Sequence, residues 1–127
     1  MLLDDILAFW MRHAVDYEHG GFVGALTDDL VVHNEVPRSG VVCARILWTF
    51  AAAYRRYGVP EHLATAQRAY AYLTGPFWDE AHPGIYWSID AAGRPVSERK
   101  HSYAQAFAIY GLSEYYRATG DPGALDK

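Results

Sequence analysis

Arg45 has the clearest capacity for chemistry, because it is the only charged side chain among the fourteen residues from Val41 to Tyr54. A guanidinium stays charged at any working pH and presents a planar fork of donors. Within an apolar helix it must therefore meet a carboxylate, a cluster of carbonyls or the oxygens of a ligand. Glu114 and Glu35 are the acids that a purely structural ion pair would use. The stretch Lys100–Gly120 supplies a second set of polar groups, Tyr103, Gln105 and Tyr110, among alanines and aromatics. Tyr103 and Tyr110 are two helical turns apart and share a side. A buried hydroxyl or amide costs roughly 1–3 kcal/mol unless something bonds to it, so a polar ligand is one candidate partner and ordinary packing is the other. Gln105 can donate to a ligand or satisfy loop backbone. Tyr86 and Trp87 offer flat faces suited to the C–H surface of a sugar ring, and equally suited to fastening a hairpin to its neighbours.

Other chemistries find little support. The histidines at 13, 19, 33, 62, 82 and 101 form no i, i+4 pair and no cluster with Cys43, so no metal centre is expected. Gly20-Gly21-x-x-Gly24 lacks the following Lys and Ser/Thr of a phosphate loop. Asp28-Asp29 and Asp79-Glu80 read as solvated turn carboxylates. No cofactor is implied. The net charge of -4, with no run of lysine or arginine, leaves no footprint for nucleic acid or an anionic membrane. No apolar run approaches the ~20 residues of a membrane span, and the lone Cys43 makes no internal disulfide; a cytoplasmic protein is expected.

The elements that position these residues are mostly helical. Leu3, Ile6, Leu7, Trp10 and Ala14 form one face of an amphipathic outer helix. His19–Leu26 and Leu30–Val32, around the turn Thr27-Asp28-Asp29, read as a small hairpin. Ser39 can cap a second helix over about Val41–Tyr57, stopped by Gly58, and its apolar character makes it an inner helix. Glu61–Thr74 is amphipathic again, with Leu63, Ala66, Tyr70 and Leu73 inward and Glu61, His62, Thr65 and Arg68 outward. Gly84–Ile89 with the turn Asp90–Gly93 reads as a second hairpin, and Tyr103–Tyr116 as a second inner helix needing cover on nearly every side. Asp121-Pro122 looks like the start of a fifth helix.

The order outer helix, hairpin, inner helix thus occurs twice. His19-x-Gly21 matches His82-x-Gly84 at an offset of 63, while Tyr54-Arg55 matches Tyr116-Arg117 and Gly58 matches Gly120 at an offset of 62. His19 and His82, at equivalent positions before hairpins, suit a repeated structural task such as holding a turn. Inner helices this apolar need neighbouring pairs to cover them, and a closed ring does so. Two pairs do not close a ring, so residues 1–127 read as a truncated portion of one larger domain, expected to expose apolar surface and to self-associate.

Phe9-Trp10, the run Asp16–Phe22, Ala44–Phe50, Tyr86-Trp87, Tyr103–Tyr110 and Ser113–Asp121 together resemble the N-terminal part of the N-acylglucosamine 2-epimerase family, nearest its cellobiose 2-epimerase branch. The resemblance implies an all-α fold of the (α/α)6-barrel type, of which two helix pairs with short hairpins are present here. It implies an isomerase acting on a small reducing sugar without a cofactor: the sugar opens, a base removes the C2 proton, and a cis-enediolate is reprotonated from the other face. It makes Arg45 the catalytic residue that polarises a sugar oxygen and Tyr103 a sugar-binding hydroxyl; Gln105 and Trp87 are expected, from their own side-chain chemistry, as further substrate-binding residues. It places the acid and base histidines beyond Lys127, so this portion alone is expected to be inactive. An α/α-barrel glycoside hydrolase or lyase, and a non-catalytic helical-repeat binding module, are the competing readings.

Overall fold

The computed structural model describes residues 1–127. A π-helical segment, Leu2–Leu7, runs directly into α1, Ala8–His13. There follow β1 (Arg38–Ser39), α2 (Gly40–Tyr57), α3 (Pro60–Thr74), β2 (Ser88–Ile89), β3 (Pro95–Ser97), α4 (Ser102–Thr119) and a closing 3-10 turn, Pro122–Ala124. The helix ends follow their local chemistry. The Ser39 hydroxyl accepts from the Val42 amide at 3.3 Å. Gly58 and Gly120 take left-handed φ values of 71° and 70°, and each donates its amide to the tyrosine carbonyl four residues back at 2.7 Å.

Helix α2 lies in the middle of the molecule. Cys43 lies against Ala69, and Phe50 against His62, so α3 runs antiparallel to α2. On its other side α2 meets Phe107, Tyr110 and Glu114 through Arg45, Trp48 and Arg55 in the same order, so α4 runs parallel to it. Gly111 sets the approach of α2 and α4: a Cβ at this position would sit 2.7 Å from the Ala44 carbonyl oxygen. Ala44, Leu47, Phe50, Ala51, Ala69, Leu73 and Ala104 are buried between the helices. Small residues at these contacts let the backbones come close, and Leu and Phe fill the remaining space.

The outward face assigned to α3 is corrected. His62 and Thr65 are buried, at 2% and 8% exposure, whereas Leu63 is only half-buried. Ala66 and Ala69 bring α3 down onto α2 along a stripe rotated from the apolar one. The Thr65 hydroxyl tolerates burial by donating to the Glu61 carbonyl at 2.9 Å. The His62 ring packs against Phe50, and burial lowers its pKa, opposed by the nearby Glu61 charge. The enclosure expected for α4 is also only half present. Its Ala104, Ala108, Leu112 and Tyr115 side is buried, while Tyr103, Ile109, Tyr110 and Tyr116 are exposed.

The hairpins are smaller than the sequence suggests. The first is a single bridge between Leu26 and Val32, because Gly20, Gly21 and Leu30 all take positive φ and curl the chain out of an extended path. The second survives as β2 and β3 around the Asp90–Gly93 turn. Residues 38–39 add an antiparallel edge strand, giving the order β1-β2-β3. This sheet ties the entrance of α2 to the loop that leads into α4. The expected fifth helix appears as the 3-10 turn, with Asp121 accepting from the Gly123 amide at 2.9 Å.

The Gly111 contact makes a measurable prediction. Gly111→Leu should lower unfolding stability by about 1–3 kcal/mol through overpacking. Gly58→Ala, where no atom lies within 4 Å of the added Cβ, should cost about 1–2 kcal/mol from backbone strain alone and leave the α2–α4 contact intact. Urea titration with amide exchange at Ala44 to Leu47 distinguishes the two.

Candidate functional site

Two kinds of polar structure gather on α2 and α4: an open aromatic face along the helices, and a pair of buried carboxylate clasps at their entrances. The open face is built from residues one helical turn apart. The Arg45 guanidinium lies over the Phe107 ring at 5.8 Å. One turn further, Trp48 and Tyr110 stack with centroids 5.0 Å apart and planes 6° from parallel. Phe107 meets Tyr103 edge-on at 5.0 Å and Tyr110 edge-on at 6.3 Å. Tyr103 is 59% exposed and Tyr110 49%, so the tyrosine hydroxyls and the guanidinium face outward from a floor of rings. On its other flank Arg45 lines a groove of about 310 Å³ with Ile6, Trp10, Val42 and Thr49. Neither ion pair considered for Arg45 forms: Glu114 accepts from Arg55 at 2.7 Å and Arg117 at 3.3 Å, and Glu35 accepts from His33. An arginine among aromatic rings with its fork open can bind oxygens and polarise a carbonyl.

The structure separates the four expected site residues. Arg45 and Tyr103 both border Phe107. Trp87 stands at the entrances of the inner helices, where its carbonyl accepts from the Gly40 amide at 3.0 Å and its ring meets His101 edge-on at 4.6 Å. Gln105 takes the backbone alternative. Its amide accepts from the Ile85 N–H at 2.9 Å and donates to the Ile85 carbonyl at 2.8 Å, which occupies it in the loop and withdraws it from the open face. Trp48 and Phe107 belong to the face and went unrecognised. The 62-residue offset held the signal, since it relates Arg45 to Phe107 and Trp48 to Tyr110.

The clasps repeat at an offset of 63. Asp16 Oδ1 accepts from the Glu18 and His19 amides, and Oδ2 from the buried Arg38 guanidinium at 2.8 Å. Asp79 Oδ1 likewise accepts from the Ala81 and His82 amides, and Oδ2 from Lys100 Nζ at 2.7 Å. Gly21 and Gly84, both at positive φ, close the two loops by accepting from the Asp16 and Asp79 amides. Asp79 is therefore a buried clasp rather than a solvated turn residue. His19 performs the structural task expected of it, and His82 its equivalent. Burial acts to raise the Asp16 pKa, but the His19 and Glu18 amides, Arg38 and the His19 ring together hold it low. Lys100, helped by the His82 and Ala81 amides, holds Asp79 down at about 2. Arg38 and Lys100 each stand two residues before an inner helix, so the clasps anchor the ends from which Arg45 and Tyr103 project.

Parallel inner helices, an outer helix between them in sequence, and loops gathered at one end define two units of an α/α barrel. The comparisons make the class specific. The family model for N-acylglucosamine 2-epimerase (GlcNAc 2-epimerase) matches residues 20–127. A cellobiose 2-epimerase of Bacteroides fragilis is 47% identical over 120 residues, covering 94% of this chain and 31% of that protein. The solved cellobiose 2-epimerase of Spirochaeta thermophila superposes with a TM-score of 0.93 at 40% identity, covering 98% of this chain and 31% of that one. A solved D-mannose isomerase gives 0.81 at 26% identity over 94% of this chain and 32% of that one. The chain belongs to the N-acylglucosamine 2-epimerase family, and its fold is of the (α/α)6-barrel type, of which it holds two helix pairs. It spans about a third of the length of the relatives it matches. No helix is long and apolar enough to cross a membrane.

The Asp79 clasp gives a pH prediction with a defined sign. Its folded pKa lies below that of an unfolded aspartate, so its contribution is complete above about pH 4 and is lost as pH falls through about 2. Protection of the Ala81 and His82 amides from exchange should fall across that window. In Asp79→Ala, which removes the acceptor of both amides, it should be low throughout, with no dependence on pH between 2 and 4.

Proposed function

We propose that residues 1–127 are the first two helix pairs of a sugar 2-epimerase or aldose–ketose isomerase acting on the reducing end of a small sugar, without a cofactor. The observation that carries this reading is Arg45, set among Phe107, Tyr103 and Trp48 with its fork unpaired by any carboxylate. The family assignment supports the choice of chemistry. Once the sugar opens, removing the proton on C2 puts negative charge on the carbonyl oxygen, and a fixed guanidinium stabilises that charge as it develops. The resulting cis-enediolate takes a proton back on the opposite face to give the 2-epimer. In this reading Tyr103 hydrogen-bonds sugar hydroxyls and Trp87 borders the entrance, while Gln105 acts by fixing the Ile85 loop. The acid and base are assigned to histidines beyond Lys127, so the isolated chain turns over no substrate. It acts in the cytoplasm.

Two measurements test this. Incubation of the complete reading frame with cellobiose or mannose in deuterated water should place deuterium at C2, and Arg45→Ala should reduce that exchange about 10²–10³-fold. Bond cleavage without exchange would instead establish a hydrolase or lyase, and undiminished exchange in the variant would remove Arg45 from the chemistry. The open faces of α2 and α4 should also make the isolated chain self-associate. Sedimentation velocity showing a monomer at all concentrations, with a sharp cooperative melt, would contradict this.

A further inference from the structure

Helix α3 carries an ionisable ring into the seam between itself and α2. His62 is fully buried, its Nδ1 has no hydrogen-bond partner, and its ring centre lies 5.9 Å from that of Phe50. The other five histidines are exposed or half-buried. The elements around the ring bring it little charge. On α2, Tyr54 and Tyr57 follow Phe50 at helical spacing and are neutral phenols near pH 7, and burial keeps Cys43, beside Ala69, a neutral thiol. Arg55 turns away to Glu114, and Arg56 lies over the Tyr57 ring. In the N-terminal segment, Asp4 and Asp5 are exposed, His13 lies against Phe9, and Arg12 borders an outer groove with Glu61 and Thr65. On α3 the Thr65 hydroxyl is taken by the Glu61 carbonyl. The Glu61 carboxylate is the one charge that acts on the ring, and burial outweighs it. His62 also stands in the first turn of α3, where the helix dipole opposes a cation.

We propose that His62 is a proton-operated latch, which holds the N-terminal turns of α3 against α2 while neutral and releases them when it is protonated. A proton on Nδ1 would leave a cation against Phe50 with nothing to accept its hydrogen bond. Water, and the exposed Glu61 beside it, become available once the ring leaves the seam. Helix α2 ends at Tyr57 and α3 begins at Pro60, so Gly58-Val59 is the hinge. The far half of α3 stays in place: Ala66, Ala69, Tyr72 and Leu73 are buried, and Arg68 donates to the Asp16 and Gly21 carbonyls at 3.2 Å each. The folded pKa lies below the unfolded one, so the latch is fully closed above about pH 6.5 and loosens as pH falls toward the folded value. Both aspartate clasps remain ionised across that window. This inference uses the α2–α3 contact alone and is independent of the sugar reading.

The test follows amide exchange and imidazole carbon shifts in the chain, diluted until sedimentation shows a monomer. From about pH 7.5 to about pH 5.5, corrected for intrinsic exchange, protection of the Ala64–Ala66 amides should fall about ten-fold, and that of the Tyr70–Leu73 amides less than about two-fold. The His62 ring should titrate below the ordinary histidine value and lose its contact with Phe50 along the same curve. In His62→Phe, which keeps a ring in the seam and takes up no proton, protection should be equal at the two pH values. Should that variant not fold, His62→Gln, also uncharged, should be equally insensitive to pH. Titration of the wild-type ring at the ordinary value, or equal wild-type protection at both pH values, would overturn the proposal. A fall of the same size in the folded variant would also overturn it, because another histidine would then be the sensor. So would an equal fall at both ends of α3, since the helix would then leave α2 as a whole.

Discussion

The close approach of α4 to α2 at Gly111 is the constraint on which the remaining structure depends. With no side chain between it and the Ala44 carbonyl, α4 settles deeply enough for Trp48 and Tyr110 to stack and for Glu114 to reach Arg55. A thicker residue would lift α4 by the width of a methyl group or more and pull all of these contacts apart together. The geometry also fixes register. Residues related by the 62-residue offset lie side by side at equal height, as required if identical units are to be added one after another around a ring.

The entrances of the helices are held by different means. Each inner helix is preceded by a cation that reaches back to an aspartate at the start of the preceding loop, Arg38 to Asp16 and Lys100 to Asp79. Pairing buried carboxylates with both amides and a cation satisfies them without exposing the loop to water. The two clasps are not identical. Arg38 is fully buried and makes four hydrogen bonds, to Phe22, Asn34 and Asp16, whereas Lys100 is partly exposed and also lies over the Tyr86 ring. The first entrance is therefore the more densely hydrogen-bonded of the two, and it precedes the helix that carries Arg45.

Much of this was legible in the sequence. The extent of α2 followed from Ser39 and Gly58, whose capping chemistry is local, whereas α4 runs past the expected end at Tyr116 to the Gly120 cap. The repeat was visible because glycines and histidines recur in loops, where backbone conformation restricts the choice of residue. What escaped notice depended on contacts between distant segments. The rotation of α3 was set by how Ala66 and Ala69 meet α2, which no helical wheel of α3 alone contains. The burial of Asp79 depended on Lys100, twenty-one residues away. Gln105 had two credible roles, and only the position of the Ile85 loop decided between them. The prominence of Arg45 was plain from composition, whereas its aromatic surroundings required the register of α2 against α4.

That register links the sequence repeat to the open face and, through it, to the chemistry assigned to Arg45. It is tested most directly by nuclear Overhauser contacts between the aromatic side chains of α2 and α4 in the dilute chain. Cross-peaks between the rings of Trp48 and Tyr110, with none between Trp48 and Tyr103, are the result this structure predicts. Cross-peaks from Trp48 to Tyr103 in place of Tyr110 would mean that α4 is displaced along α2 by two turns, which would separate Arg45 from Phe107 and remove the face altogether.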